Sequence, residues 1–333
     1  MKTFVVEVEH DEKETDNKWN GKFATESCYK QVIKWDETFR VVRPSKNILN
    51  DYEPIAIVVK KGFREDEHDL IKDTLFSIQE TTNMRANASG PIDKQKLLDE
   101  KGWVEDVDYK LRSPNSYYTK MKDGSWNDIA IGQDIHSLLL GYKRGRFTGK
   151  IQLSAWARDN ADRWEKLLKI SEINERAFEQ VHPDRYYSQK TFAEKFIAEE
   201  HRMGIFTAYS PNKYNEAQTK QMSLHIDKGD TELGFTTMSV FRVGEYTGAY
   251  LVFPRWQIGI DTDDGDIVIA DSKQVHGVSP IYGEGTRLSC VAYCDSKVAT
   301  LAGGEVIARP EKLIGQTYVK EGVKPNDLGG FFK

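Results

Sequence analysis

Cysteine is scarce in this chain of 333 residues: Cys28, Cys290 and Cys294 are all there is, an odd number without metal-site spacing. That argues against a disulfide framework and for reduced thiols. Cys290 and Cys294 fall in an apolar strand pattern and read as core residues. No apolar run approaches the ~18 residues that span a bilayer, and the opening Met1-Lys2-Thr3-Phe4-Val5-Val6-Glu7-Val8-Glu9 is too acidic and too alternating for a secretory leader. A cytoplasmic protein, or a nuclear one in a eukaryote, with no membrane partner is expected. Gly-rich phosphate loops, internal repeats and low-complexity linkers are also missing, and no protein partner is inferred. An excess of positive charge is lacking too: Lys and Arg number 47 against 52 Asp and Glu, for a net charge of −5. That balance argues against a nucleic-acid protein coated with cations. A local basic groove remains open, because Lys143, Arg144, Arg146 and Lys150 sit beside Tyr142 and Phe147 and would suit a phosphate backbone, with a solvated loop as the ordinary reading.

What is present suits a folded enzyme-sized domain. Hydrophobic residues make up 39% of the chain and charged residues 30%, enough apolar material for a sizeable core with a soluble exterior. Short alternating stretches, Phe39-Arg40-Val41-Val42-Arg43 and Ile55-Ala56-Ile57-Val58-Val59, predict strands in the first sixty residues, and Ile71, Leu75, Phe76 and Ile78 predict a helix over 65–80. Helices are then expected over 127–140, 161–181 and 188–201, the last with Ser188 as its cap. Trp156, Trp164 and Phe178 read as core residues of that helical layer. From about residue 204 the texture changes to short β-rich runs at 221–227, 236–243, 249–253, 258–261, 266–271 and 287–293, broken by Gly, Pro and Asp. Such a series predicts an α+β protein with a jelly-roll, cupin-like core, a double-stranded β-helix backed by helices. The division expected is an N-terminal α/β extension over 1–83, a domain over 84–298 with its jelly-roll core at about 204–295, and a tail over 299–333. Asp261-Thr262-Asp263-Asp264-Gly265-Asp266 lacks the alternation and closing Glu of a calcium loop and reads as a tight turn. His10, His68, His136, His182 and His201 have no partner spacing and read as surface or structural residues.

One constellation carries chemistry. In Ser223-Leu224-His225-Ile226-Asp227-Lys228 the His and Asp are two apart, and strand side chains two apart share a face. His276, in Gln274-Val275-His276-Gly277-Val278, lies several strands downstream, within reach when a sandwich folds over. Two imidazoles and one carboxylate on one face, with other coordination positions open, form the facial triad of non-haem Fe(II) oxygenases. Eleven residues after His276, Arg287 opens the apolar strand Arg287-Leu288-Ser289-Cys290-Val291-Ala292-Tyr293. A buried Arg there requires an anion, a carboxylate fits its fork best, and Ser289 on the same face can add a hydroxyl.

These residues resemble the 2-oxoglutarate/Fe(II) dioxygenases, and within them the TET and J-binding-protein branch that oxidises 5-methylpyrimidines. The superfamily likeness rests on His225-x-Asp227, His276 and Arg287-x-Ser289. The branch likeness is broader and looser, over about 84–293, through Met84-Arg85-Ala86-Asn87-Ala88-Ser89-Gly90, the 141–158 segment, the helix entered through Trp164, Tyr209-Ser210-Pro211-Asn212 and Thr247-Gly248-Ala249-Tyr250-Leu251-Val252-Phe253-Pro254. The cysteine-rich zinc region of the animal forms is missing, which places the chain nearer the compact microbial, viral or fungal forms. The resemblance implies Fe(II) on His225, Asp227 and His276, 2-oxoglutarate on Arg287 and Ser289, O2 as co-substrate and DNA as partner. It implies hydroxylation of a 5-methyl group, with 5-methylcytosine before thymine. A target in duplex DNA must be flipped out, so groups reading its edge should surround the metal. Asp230, Asn212 and Tyr209 are the candidates, each with a plainer structural reading, Asp230 as a turn residue first. Two other readings stay open: a hydroxylase of a small molecule, free nucleotide or protein residue, and a jelly-roll binding protein without redox chemistry.

Overall fold

A computed structural model describes residues 1–45, 52–145, 148–216, 221–231 and 235–299. In chain order come β1 (Lys2–Val5), α1 (Glu12–Trp19), β2 (Gln31–Ile33), β3 (Phe39–Pro44), β4 (Tyr52–Val59) and α2 (Glu65–Phe76). The middle supplies α3 (Lys94–Lys101), the hairpin β5 (Tyr109–Ser113) and β6 (Ser116–Thr119), then β7 (Leu140–Arg144), β8 (Ile151–Leu153), α4 (Ala155–Asp159), α5 (Ala161–Val181) and α6 (Pro183–Phe196). Strands dominate the rest: β9 (Ala208–Asn215), β10 (Thr236–Val243), β11 (Thr247–Gly248), β12 (Leu251–Phe253), β13 (Ile258–Ile260), β14 (Ile267–Ala270), β15 (Gly277–Val278), β16 (Ile281–Tyr282) and β17 (Thr286–Tyr293).

Among the described residues nine strands form a major sheet in the order β1-β3-β4-β14-β10-β17-β9-β7-β8, and four form a minor sheet in the order β15-β12-β13-β2. From β9 onward the chain alternates between them. It runs from β9 in the major sheet to a bridge at His225 beside β15, then to β10, to β12 and β13, to β14, to β15 and finally to β17. That alternation is a double-stranded β-helix, and the pairs β9·β17, β17·β10 and β10·β14 that build its large face are all antiparallel.

Period-two patterning sorts the side chains. Ile57, Phe241, Ile267, Ile269, Leu288 and Cys290 face the helices, where they meet Ile71, Leu167, Ile170 and Phe178. Val58, Val240 and Val268, one residue out of phase, fill the space between the sheets with Leu251, Phe253 and Ile258. Helix α5 buries Trp164, Leu167, Ile170, Ile173, Ala177 and Phe178 on one stripe, the spacing that packs a helix on a sheet. Trp156 lies at the edge of this cluster and donates its indole N–H to Glu80 at 2.9 Å. The acidic turn before β14 is held by cations: Lys34, Lys60 and Lys72 all pair with its carboxylates. Among the described residues no helix is long and apolar enough to cross a membrane.

Several expectations change. The helix expected over 127–140 is extended chain, with Ile131, Ile135 and Ser137 bridging to Tyr117, Thr82 and Asn212. Gly132 sits where a Cβ would lie 2.8 Å from the Ala86 Cα, so close backbone contact overrides the apolar spacing there. The helix expected to begin at Ser188 begins at Pro183, whose fixed φ and missing N–H suit a first turn; Ser188 is buried inside it, and the helix ends at Phe196. Residues 221–227 make no regular strand and keep one ladder bridge, at His225. The first sixty residues supply strands to both sheets. The tail from residue 300 lies outside the described residues.

The helical layer should carry much of the stability. Phe178→Ala removes a fully buried ring from the sheet–helix interface and should cost about 3–5 kcal/mol in urea unfolding. A loss below about 1 kcal/mol would mean that the site collapses freely and that this interface is not a major cement.

Candidate active site

His225 and His276 exchange two backbone hydrogen bonds, His225 N to His276 O at 2.8 Å and His276 N to His225 O at 3.0 Å. Directly opposed residues of an antiparallel pair project to one face, and the imidazole centroids are 4.8 Å apart. Asp227 reaches both, with Oδ1 3.6 Å from His225 Nε2 and Oδ2 3.6 Å from His276 Nε2. One ligand atom from each of the three lies within 4.8 Å of the others, close enough for one ion to touch them all.

The tautomers follow from the second nitrogens. His225 Nδ1 lies 2.7 Å from Ser223 O, and His276 Nδ1 lies 2.8 Å from Gln274 O. A carbonyl only accepts, so both Nδ1 atoms carry a proton, and both Nε2 atoms, the ones left for a metal, face Asp227. Burial pushes the His225 pKa down, which favours the neutral imidazole that a metal requires. Two imidazole Nε2 atoms and a carboxylate fit a borderline divalent ion such as Fe(II).

The cluster opens into a cavity of about 500 Å³ that Arg287 and Ser289 also line. On β17, Arg287, Ser289, Val291 and Tyr293 face this cavity, while Leu288, Cys290 and Ala292 face the helices. Arg287 is 3% exposed. Its Nη2 meets the Met238 sulfur at 3.6 Å, its Nε has no hydrogen-bond partner, and among the described residues it forms no ion pair. Burial pushes its pKa down and Arg242 adds to the push, yet a guanidinium stays charged. A desolvated cation with unused donors, aimed into a cavity, fits an anionic ligand, and Ser289 stands ready on the same face.

The other expected residues separate. Asp230 lines the cavity but turns Oδ2 to the hydroxyls of Thr236 and Ser272, each at 2.7 Å. Burial, and after it Asp227, pushes the Asp230 pKa up to about 8. Asn212 lines the cavity from β9, accepting from Ser210 at 3.4 Å. Tyr209 does not join them: it is fully buried on the opposite face of β9, against Trp164, so a substrate contact there is ruled out. Lys143, Arg144 and Lys150 belong to the β7–β8 hairpin and its turn and do not line the cavity, and Arg146 lies outside the described residues.

No family model matches this sequence, and no curated protein matches it. Solved structures do resemble the chain. NgTET1 in complex with 5mC DNA is 10% identical, with 89% of this chain and 91% of that one covered and a TM-score of 0.48. OsALKBH1 is 16% identical, with 73% and 97% covered and a TM-score of 0.35. An oxidoreductase of the 2OG-Fe(II) oxygenase family from Burkholderia pseudomallei is 12% identical, with 72% and 85% covered and a TM-score of 0.38. At TM-scores below 0.5 these likenesses decide nothing; the fold rests on strand order and the site on its own distances.

Sequence reasoning missed the residues that aim the ligands. Ser223 is clamped to the 87–88 segment, its N donating to Ala88 O at 2.9 Å and its hydroxyl to Asn87 O, so the carbonyl that orients His225 is fixed. Arg255 does the same for His276 at one remove. It is 6% exposed and donates to Gln274 Oε1 at 2.7 Å, and to Glu9 and Glu12 at 2.6 Å each. Arg255→Met should therefore weaken Co(II) binding, followed by its visible spectrum, by about 10–100-fold, with Arg255→Lys restoring part of it. A lower melting temperature with unchanged Co(II) affinity would leave Arg255 a purely structural role.

Proposed function

We propose that this protein is an Fe(II)- and 2-oxoglutarate-dependent dioxygenase that hydroxylates the 5-methyl group of a pyrimidine in DNA, with 5-methylcytosine as first substrate and thymine as second. One observation carries the reading: a two-histidine, one-carboxylate cluster and a buried guanidinium without an acid partner open into the same cavity. In this reading His225, Asp227 and His276 hold the iron, while Arg287 and Ser289 hold the distal carboxylate of 2-oxoglutarate. The iron, when bound, supplies O2 activation coupled to oxidative decarboxylation of 2-oxoglutarate to succinate and CO2, with one oxygen atom passed to a substrate C–H bond.

The protein's own part is placement. Ser223 and Gln274 carbonyls hold both imidazole rings so that their Nε2 atoms meet beside Asp227 at the wall of the cavity. A volume of about 500 Å³ suits a co-substrate and one extruded base together. Asn212 and Asp230 stand on the cavity wall where an exocyclic group of that base would arrive. The methylpyrimidine choice rests on the sequence resemblance over 84–293. The net charge of −5 favours a second reading, the same chemistry on a small molecule, a free nucleotide or a protein residue.

The deciding assay incubates Fe(II)-loaded enzyme and 2-oxoglutarate with 5-methylcytosine DNA and with unmethylated DNA, then measures succinate and modified nucleosides. Hydroxymethylated base is the expected outcome; succinate with unmodified DNA would sink the DNA substrate and keep the enzyme class. His225→Ala or Asp227→Ala should abolish turnover, and full activity in either overturns the metal assignment. Arg287→Ala should bind metal normally while its 2-oxoglutarate KM rises by about 10–100-fold, the loss of a charge-assisted bidentate contact of about 1.5–3 kcal/mol.

A further inference from the structure

The cavity carries positive charge that the metal centre and Arg287 do not use. Arg85, Lys228 and Lys297 line it, the two lysines exposed and Arg85 half-buried. Among the described residues none of the three forms an ion pair, in a chain whose net charge is −5 and whose cations around the turn before β14 are paired with carboxylates. The acids on the same wall are turned elsewhere. Asp227 joins the histidine cluster, Asp230 accepts two hydroxyls, and buried Asp295 accepts the Lys297 backbone N–H at 2.9 Å. Arg85 donates from Nη2 to Leu138 O at 3.1 Å, which fixes the guanidinium and leaves other donors for a ligand.

We infer that Arg85, Lys228 and Lys297 form a phosphate-holding rim, which grips the sugar–phosphate chain of a nucleic acid while one base enters the cavity. The inference rests on the nucleic-acid reading above, and it moves backbone recognition from the β7–β8 hairpin to the mouth itself. Phosphate matches this set, since a guanidinium fork and two ammonium groups can share its oxygens. The rim is also fixed relative to the metal. Lys228 directly follows Asp227, and the segment carrying Arg85 is bonded to Ser223, whose carbonyl orients His225. A phosphate gripped there would set the distance from backbone to iron.

The test uses the Fe(II)-loaded protein without O2 and a fluorescent single-stranded oligonucleotide bearing one 5-methylcytosine, with anisotropy followed across a salt series. Each phosphate contact contributes about 0.7 to the slope of log affinity against log salt for a single strand. The variant Arg85→Gln/Lys228→Gln/Lys297→Gln should therefore lose about 2 of that slope, while Lys143→Gln/Arg144→Gln/Lys150→Gln binds as the parent does. Arg85→Lys, which keeps the charge, should retain most of the slope and controls for any folding defect at Leu138. Competition by a nucleoside monophosphate would identify a single-phosphate grip, and competition by polymer alone an extended one; both support the rim. An unchanged slope in the rim variant, or a loss only in the hairpin variant, overturns it. Succinate formation with an unchanged slope would sink the rim and spare the dioxygenase. Rim-dependent binding with neither succinate nor base oxidation in the aerobic assay would do the reverse.

Discussion

Two backbone hydrogen bonds between His225 and His276 are the constraint on which the centre depends. They join segments about fifty residues apart and set two imidazoles side by side, so that a carboxylate two residues beyond the first can reach both. The same device repeats on each segment: the ring Nδ1 donates to the carbonyl two residues earlier, from His225 to Ser223 and from His276 to Gln274. Ligand geometry is thus built from main-chain positions rather than from mobile side chains. Gly277 belongs to this constraint, because a Cβ there would stand 3.1 Å from the Leu224 Cα and press the two segments apart.

Arg287 poses the opposite problem. A guanidinium taken from water without a carboxylate partner is unfavourable by several kcal/mol, and the fold places it on β17, between β10 and β9 in the interior of the major sheet. Seven register pairs to β10 and eight to β9 hold that strand, so the charge cannot escape by local movement. Such a site is costly for the free protein and favourable for an anion that completes it. Ligand binding and folding stability are linked there through one residue, since whatever binds only the folded state stabilises it.

The legible parts of the sequence were those with uniform periodicity. Helix α5 and strand β10 match their predicted spans because one buried stripe or one alternating face decides each. The grouping of His225, Asp227, His276 and Arg287 around one cavity was legible for a different reason: alternation along a strand puts residues two apart on one face, and a sandwich brings distant strands together. What failed was chemistry set by distant partners. Strand β9, absent from the predicted runs, carries Ser210-Pro211-Asn212, and a proline weakens any local strand signal. Yet the Pro211 carbonyl accepts from Leu138, so the missing N–H lies on the side away from β17 and costs no bond of that ladder. Tyr209 was a candidate through the Tyr209-Ser210-Pro211-Asn212 stretch, and the pleat sends it to the other face. The 127–140 segment has helical spacing, but its bridges are to Thr82, Tyr117 and Asn212, which no local pattern reveals.

The N-terminal segment shows why the jelly roll cannot be cut from the chain at about residue 204. Strand β13 would be an open edge of the minor sheet without β2, which pairs with it in parallel from Gln31 to Ile33. Strand β14 would likewise be an edge of the major sheet without β4, whose Ala56–Val59 run pairs with it residue for residue. Ahead of both strands in the chain lies a tie to the histidine cluster: Glu9 and Glu12 hold Arg255, Arg255 holds Gln274, and the Gln274 carbonyl orients the His276 ring. Removing the first sixty residues would therefore expose two sheet edges and free the Gln274 side chain beside His276 together. The geometry of the His225, Asp227 and His276 cluster is thus a property of the whole sandwich, since Glu9 and Glu12 lie at the other end of the chain from Gln274.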